Sequence, residues 1–93
     1  METIKKGCAS VFASADYVEK AYLFGSYARG EATTKSDLDF MIVFNREAYF
    51  HFFELYDLLQ KTFEKNIDVI LEEEALRIMP RSIERDKVLI YER

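Results

Sequence analysis

Tryptophan is absent from these 93 residues, and there is one cysteine, one histidine, one proline and only three glycines. A single thiol, Cys8, cannot close an internal disulfide, which excludes a disulfide-stapled scaffold. A lone thiol fits a reducing cytoplasm, with Cys8 as an inert, half-buried side chain. Cys8 and His51 are the only soft ligands, too few for a zinc site. Basic residues are in deficit as well: 13 Lys and Arg stand against 17 Asp and Glu, for a net charge of −4 and a pI of about 5.0. Such a chain offers no general field for the phosphate backbone of DNA or RNA, so direct nucleic-acid binding is not expected. Long apolar runs are missing too. Segments such as Phe40–Phe44 fall far short of the ~20 residues a bilayer span needs, and nothing reads as a signal peptide. The expectation is a soluble, cytoplasmic protein with no membrane association.

What is there suffices for one modest core. Hydrophobic residues make up 49% of the chain, and a single domain over residues 1–93 is expected. Eight Phe and six Tyr are many for this size, enough for some aromatic surface to face a partner.

Few breakers make their positions informative. Ile4, Cys8, Val11 and Phe12 recur at helical spacing and predict a helix over Thr3–Ala13, interrupted by Ser14-Ala15-Asp16. Val18–Phe24 reads as a strand stopped by Gly25, followed by one helical turn at Ser26–Arg29 closed by Gly30, then a polar loop, Glu31–Ser36. Leu38–Phe44 is an almost continuous apolar run, the pattern of a strand covered on both faces. Asn45 is a candidate N-cap. Apolar positions 49, 52, 53, 56, 59 and 63 then mark a long amphipathic helix from about Arg46 to Phe63. A wide core contact is the first expectation for that face, a docking surface for a partner or second copy the alternative, and His51 is placed at the core edge or surface. Ile67–Leu71 reads as a third short strand. The remainder reads as a loop, a helix starting near Pro80, and a closing Val88–Tyr91 segment. Arg77, Arg81 and Arg85, four apart, are expected to pair with nearby Glu. The alternation implies an α/β (α+β) fold, a small mixed sheet of about three strands flanked by helices.

The chemistry gathers around Asp37-Leu38-Asp39. On a strand, residues two apart share a face, so the two carboxylates converge while Leu38 points away. Adjacent carboxylates repel, and a divalent cation removes the conflict. Oxygen-only ligands select a hard ion, Mg²⁺ first and Mn²⁺ as a substitute. Asp68 is a charge set in the apolar Ile67-Asp68-Val69-Ile70-Leu71, costly alone and tolerable beside the same cation. Gly25-Ser26 lies at a strand-to-helix turn, where main-chain N–H groups favour a phosphate. Gly25 lets the phosphate approach, and the Ser26 hydroxyl can donate to it. An anion cradle joined to a metal site by a short loop suits a triphosphate–Mg²⁺ complex. Rival motifs fail on particular residues. Gly25–Gly30 lacks the Gly-Lys-Ser/Thr ending of a P-loop and the spacing of a dinucleotide fingerprint. An EF-hand needs an oxygen ligand at Met41 and Gly at Ile42, and a haloacid-dehalogenase-type phosphatase needs Thr at Met41.

Read together, Leu23-Phe24-Gly25-Ser26-Tyr27-Ala28-Arg29-Gly30, the spacer to Ser36, and Asp37-Leu38-Asp39 resemble the DNA polymerase β-type nucleotidyltransferase superfamily. The signature is Gly-Ser, a spacer (here residues 27–36), then Asp-x-Asp. The chain is most similar to the minimal nucleotidyltransferases, antitoxin-like partners of HEPN-domain proteins. The likeness extends over nearly the whole chain, through Ile67-Asp68-Val69 to Ile90-Tyr91-Glu92.

The resemblance implies a polymerase β palm-like fold and a role for each matching residue. Asp37 and Asp39 would ligate two Mg²⁺ ions. Asp68 would be the third carboxylate, binding the catalytic ion and helping to activate the attacking hydroxyl. Gly25 and Ser26 would hold the β- and γ-phosphates. Tyr27 stands where relatives often carry Arg, which leaves Arg29 as the nearest cation for a phosphate. The implied reaction is attack of a hydroxyl on the α-phosphorus of a nucleoside triphosphate, ATP by expectation, with release of pyrophosphate. The implied acceptor is a tyrosine of a partner HEPN toxin, so that AMP transfer makes this chain an antitoxin, in a hetero-oligomer or as a homodimer. The alternative is a non-catalytic nucleotide-binding antitoxin that neutralises its partner by occlusion. Transfer to a small molecule such as an aminoglycoside is disfavoured, because so short a chain is not expected to carry an acceptor domain.

Overall fold

A computed structural model describes residues 2–33, 36–45, 51–63, 65–78 and 80–93. Four strands, β1 (Val18–Phe24), β2 (Leu38–Phe44), β3 (Ile67–Leu71) and β4 (Val88–Glu92), form one sheet in the order β3-β2-β1-β4. β1 runs antiparallel to both β2 and β4, whereas β2 and β3 are parallel, so the sheet is mixed. The first three strands have the bounds their apolar runs predict.

Five helices complete the chain: α1 (Glu2–Ser14), α2 (Gly25–Ala28), α3 (Phe52–Phe63), α4 (Glu72–Ile78) and α5 (Pro80–Asp86). α1 and α3 cover one face. From α1, Ile4, Cys8, Val11 and Phe12 enter the core; from α3, Leu55 and Leu59; from β2, Leu38, Phe40 and Ile42. Phe12 meets Phe40 edge to face at 6.2 Å, the geometry that suits the ring quadrupoles. The two helices touch at Gly7, where a methyl group would lie 2.8 Å from the Phe63 ring. The opposite face is covered at Met41 by Ala75 of α4, with Tyr22, Phe24 and Ile70 packed around them. β2 is thus buried from both sides, which explains its unbroken apolar run.

In β1, Val18 and Ala21 both point into the core despite their odd spacing. The register shift between Val18 and Lys20 inserts a residue and resets the alternation. Arg93 fastens this corner. Its Nη2 donates to the carbonyls of Phe12 at 2.7 Å and Ala15 at 2.9 Å, and its Nε to that of Val18 at 3.0 Å. The guanidinium thereby adds a donor to the Phe12 and Ala15 carbonyls, which also accept from the Ala15 and Val18 N–H groups, and clamps the α1–β1 turn.

Some expectations need correction. The closing segment at residues 88–91 is, with Glu92, a fourth strand at the sheet edge, held by pairing with β1, where about three strands are expected. Residues 72–78 are helical rather than loop. Three successive Glu residues occupy the first turn of α4, where the helix dipole favours negative charge. The expected helix from Arg46 to Phe63 is found over Phe52–Phe63; residues 46–50, including Tyr49 and Phe50, lie outside the described residues. Its inward residues are Leu55 and Leu59, with Phe52, Tyr56 and Phe63 half-buried, while Phe53 is 76% exposed. The N–H groups that Asn45 is expected to cap belong to residues 46–50, outside the described residues. The Asn45 side-chain amide donates to the Asp16 carbonyl at 2.5 Å and ties the end of β2 to the α1–β1 turn.

Candidate active site

The carboxyl end of β1 and the starting ends of β2 and β3 lie together along one edge of the sheet, and the motif residues collect there. Phe24 pairs with Asp39, and Asp39 with Asp68, so one row crosses three strands. Gly25 follows Phe24 with φ of +74°, a left-handed conformation that L side chains rarely adopt. Space forbids a side chain there too. A Cβ at Gly25 would collide with Asp39 Oδ2 and lie 3.1 Å from its Cγ. The glycine therefore lets the Gly25–Ser26 main chain rest directly on the Asp39 carboxylate. α2 is a single turn, closed by Arg29 N–H to the Gly25 carbonyl at 3.1 Å and Glu31 N–H to the Ser26 carbonyl at 2.9 Å.

Asp39 is half-buried, and its carboxyl is pushed up to about 6. Burial is the largest cause, followed by a hydrogen bond with Asp68 and the negative charges of Asp68 and Asp37; Arg29 acts in the opposite direction. Asp68 differs from its sequence expectation. It is exposed on the edge strand β3, so burial in an apolar strand is not its difficulty; its neighbour Asp39 is the desolvated group. Asp37 is exposed and immediately precedes β2, so the strand alternation invoked for the Asp37–Asp39 pair stops one residue short of it.

Among the described residues, no three His, Cys, Asp or Glu side chains are grouped so as to hold a metal ion as they stand. Asp68 and Asp37 bear on Asp39 instead as hydrogen-bond and like-charge neighbours that disfavour its ionised form. The donor set, all oxygen and carrying excess negative charge, fits a hard divalent ion. Asp39 and Asp68, with Asp37 at the strand entry, are the residues that would hold it.

Arg29 is exposed and lies between two carboxylates, with Nε 3.4 Å from Glu31 and Nη1 3.6 Å from Asp86. Asp86, at the end of α5, is held below the ordinary carboxylate range chiefly by Arg85. Tyr27 is packed against the main core, and the Lys65 ammonium lies 5.7 Å from its ring centroid. Periodicity and motif spacing single out neither Lys65 nor Asp86. Lys65 sits two residues before β3, and only the folded sheet carries it toward α2.

The other polar candidates stand elsewhere. His51 stacks on Tyr17 at 4.2 Å with Nδ1 2.9 Å from Glu54, and Tyr17 packs near Phe44 at the far end of β2. Arg77 and Arg85 pair locally with Glu74 and Asp86, on two separate helices rather than one face. A shallow cavity of about 80 Å³ between Ile42–Phe44 and Leu71–Glu73 also opens at the far end. No helix among the described residues is long and apolar enough to cross a membrane.

A family model described as polymerase beta, nucleotidyltransferase, matches residues 6–93. A protein of Methanocaldococcus jannaschii that bears the name protein adenylyltransferase is 38% identical over 78 residues, spanning 80% of this chain and 76% of its own length. Among solved structures, one described as a minimal nucleotidyltransferase superposes with a TM-score of 0.78 at 23% identity, covering 94% of this chain and 92% of its own. A chain in the complex of tri-AMPylated Shewanella oneidensis HEPN toxin with its MNT antitoxin superposes with a TM-score of 0.68 at 14% identity, over 100% of this chain and 74% of that one. At these identities the two superpositions speak for a shared nucleotidyltransferase fold.

Proposed function

This chain belongs to the polymerase beta nucleotidyltransferase family, and we propose that it transfers AMP from ATP to a hydroxyl, the acceptor being a tyrosine of a HEPN-domain partner that it neutralises. The observation that carries this reading is that a glycine turn suited to phosphate lies directly against Asp39, which pairs across the sheet with Asp68. The naming of the Methanocaldococcus relative and the AMPylated toxin in the Shewanella complex support protein as the acceptor class. Asp68 supports it on physical grounds. It is exposed on an edge strand, where a side chain of another macromolecule can reach it without entering a closed pocket.

The residues divide the work. The Gly25–Ser26 main chain and the Ser26 hydroxyl hold the outer phosphates and orient the α-phosphorus. Asp37, Asp39 and Asp68 would hold Mg²⁺, with Mn²⁺ as a substitute. The metal, when bound, neutralises charge on the phosphates and on the attacking and leaving oxygens. An Asp68 carboxylate oxygen takes the proton of the acceptor hydroxyl as its oxygen bonds to the α-phosphorus. The bond to the leaving pyrophosphate breaks on the opposite side.

The test uses labelled ATP, Mg²⁺ and the HEPN partner together with a cell-protection assay. Wild-type protein should label the partner and protect cells, and Asp37→Asn should do neither. Protection by Asp37→Asn without any label would favour neutralisation by occlusion instead.

A further inference from the structure

We infer that Asp86 is a positioning residue of the nucleotide site: from the end of α5 its carboxylate holds the Arg29 guanidinium, and through it the α2 turn that presents Gly25 and Ser26 to the outer phosphates of a nucleoside triphosphate. The inference rests on the nucleotidyl-transfer reading above.

The sheet brings the two residues together. Leu23 pairs with Val88, so Gly25 and Asp86, each two residues from that pair, flank the same end of the sheet. Arg29 belongs to the turn itself: its main-chain N–H donates to the Gly25 carbonyl at 3.1 Å and closes α2. Its Nη1 lies 3.6 Å from Asp86 Oδ2. One residue thus joins the glycine turn by its backbone and the end of α5 by its side chain. The Arg29 charge is also felt at Asp39, where it opposes the neighbouring carboxylates, so the guanidinium is within electrostatic reach of the site.

Asp86 stands where a carboxylate needs a partner. It ends α5, where the helix dipole disfavours negative charge, and its side chain is only 12% exposed. Its nearer partner, Arg85 at 3.0 Å, is its neighbour in sequence, so that pair ties α5 only to itself. Glu31, the other partner of Arg29 at 3.4 Å, lies two residues on and likewise ties the turn only to its own continuation. The Arg29–Asp86 pair is the one of these three that crosses between elements. Gly25 already seats the start of α2 on Asp39, and Tyr27 packs against the core. The pair fixes the closing end of the turn, so that its N–H groups meet the phosphates in one position.

The experiment is calorimetric titration of ATP with Mg²⁺, at fixed ionic strength, into the full chain. The variants are Asp86→Asn, Asp86→Ser, Asp86→Glu, Arg29→Gln, Arg85→Gln and the double variant of Arg29→Gln with Asp86→Asn. Melting curves check that each is folded at the titration temperature. Asp86→Asn and Asp86→Ser should weaken ATP binding about three- to fivefold, and Asp86→Glu, which can still pair, should recover most of the loss. Arg29→Gln should weaken binding at least as much, and Asp86→Asn added to it should change nothing further. Arg85→Gln removes the nearer partner of the same carboxylate and should bind ATP as wild type does. Unchanged affinity in Asp86→Asn and Asp86→Ser, no recovery by Asp86→Glu, a further loss in the double variant, or an equal loss in Arg85→Gln would each overturn the inference and leave the nucleotidyl-transfer reading standing. Wild-type protein that binds no ATP at all would overturn both.

Discussion

Gly25 and Asp39 are in van der Waals register with no room between them: the glycine at the end of β1 holds a positive φ, and the place where its Cβ would go is occupied by the Asp39 carboxylate. One residue has to lack a side chain so that the other can keep its position. This is a constraint of the site rather than of the fold, since the sheet could close around many other turns.

The contrast with Gly30 makes it testable. Gly30 also has a positive φ, +73°, but a methyl there meets nothing within 4 Å. Gly30→Ala should cost only the backbone strain, about 1–2 kcal/mol. Gly25→Ala should cost more and should also displace Asp39, abolishing ATP binding. Chemical denaturation and nucleotide titration of the two variants check this.

Charge accumulated around Asp39 predicts a trade between stability and chemistry. With Asp68 hydrogen-bonded to it and Asp37 nearby, Asp39 is a half-buried carboxyl among like charges. Asp39→Asn should therefore melt higher than wild type in metal-free buffer at pH 8 while losing transfer. Mg²⁺ should raise the wild-type melting temperature and leave the variant almost unchanged. A variant less stable than wild type without metal would contradict the account.

Cys8 supplies a pH dependence. Burial pushes its thiol from 9.0 up to about 12, so the native state holds its proton more tightly than the unfolded chain. Its contribution to stability is complete below pH 9, where both states are protonated, and is lost as pH rises from there toward 12. In denaturant titrations, wild-type protein should lose more stability between pH 9 and pH 11 than Cys8→Val. At pH 8 a thiol reagent should label Cys8 only as fast as the protein unfolds.

Arg93 is predicted to matter for stability and not for chemistry. Its guanidinium holds three carbonyls around the end of α1, far along β1 from Gly25. Arg93→Met should lower stability by about 1–3 kcal/mol and leave ATP affinity unchanged. Thermal melts and calorimetry on the same preparation separate the two effects.

The parts legible in the sequence were those set by local pattern. β1, β2 and β3 were readable to the residue because apolar runs end at Gly25, at Asn45 and in the turn before Ile67. Gly25, Ser26, Asp37 and Asp39 were legible because their spacing is linear along the chain. What depends on neighbours was not. Val88–Glu92 becomes a strand by pairing with β1, a contact 65 to 72 residues distant in sequence. The exposure of Asp68 follows from β3 lying at an edge, which strand order decides and hydropathy does not record. Phe53 fits a helical stripe on paper, yet Leu55 and Leu59 set the buried face once α3 packs on α1 and the sheet.

The central claim is that the Asp39–Asp68 pair, beside the Gly25 turn, supports AMP transfer to a protein hydroxyl. The most direct test is the intact mass of the purified HEPN partner after incubation with this chain, ATP and Mg²⁺. With wild-type protein the partner should gain one or more AMP units on tyrosine, and with Asp39→Asn it should gain none. A partner left unmodified by wild-type protein, or modified equally by Asp39→Asn, would contradict the account.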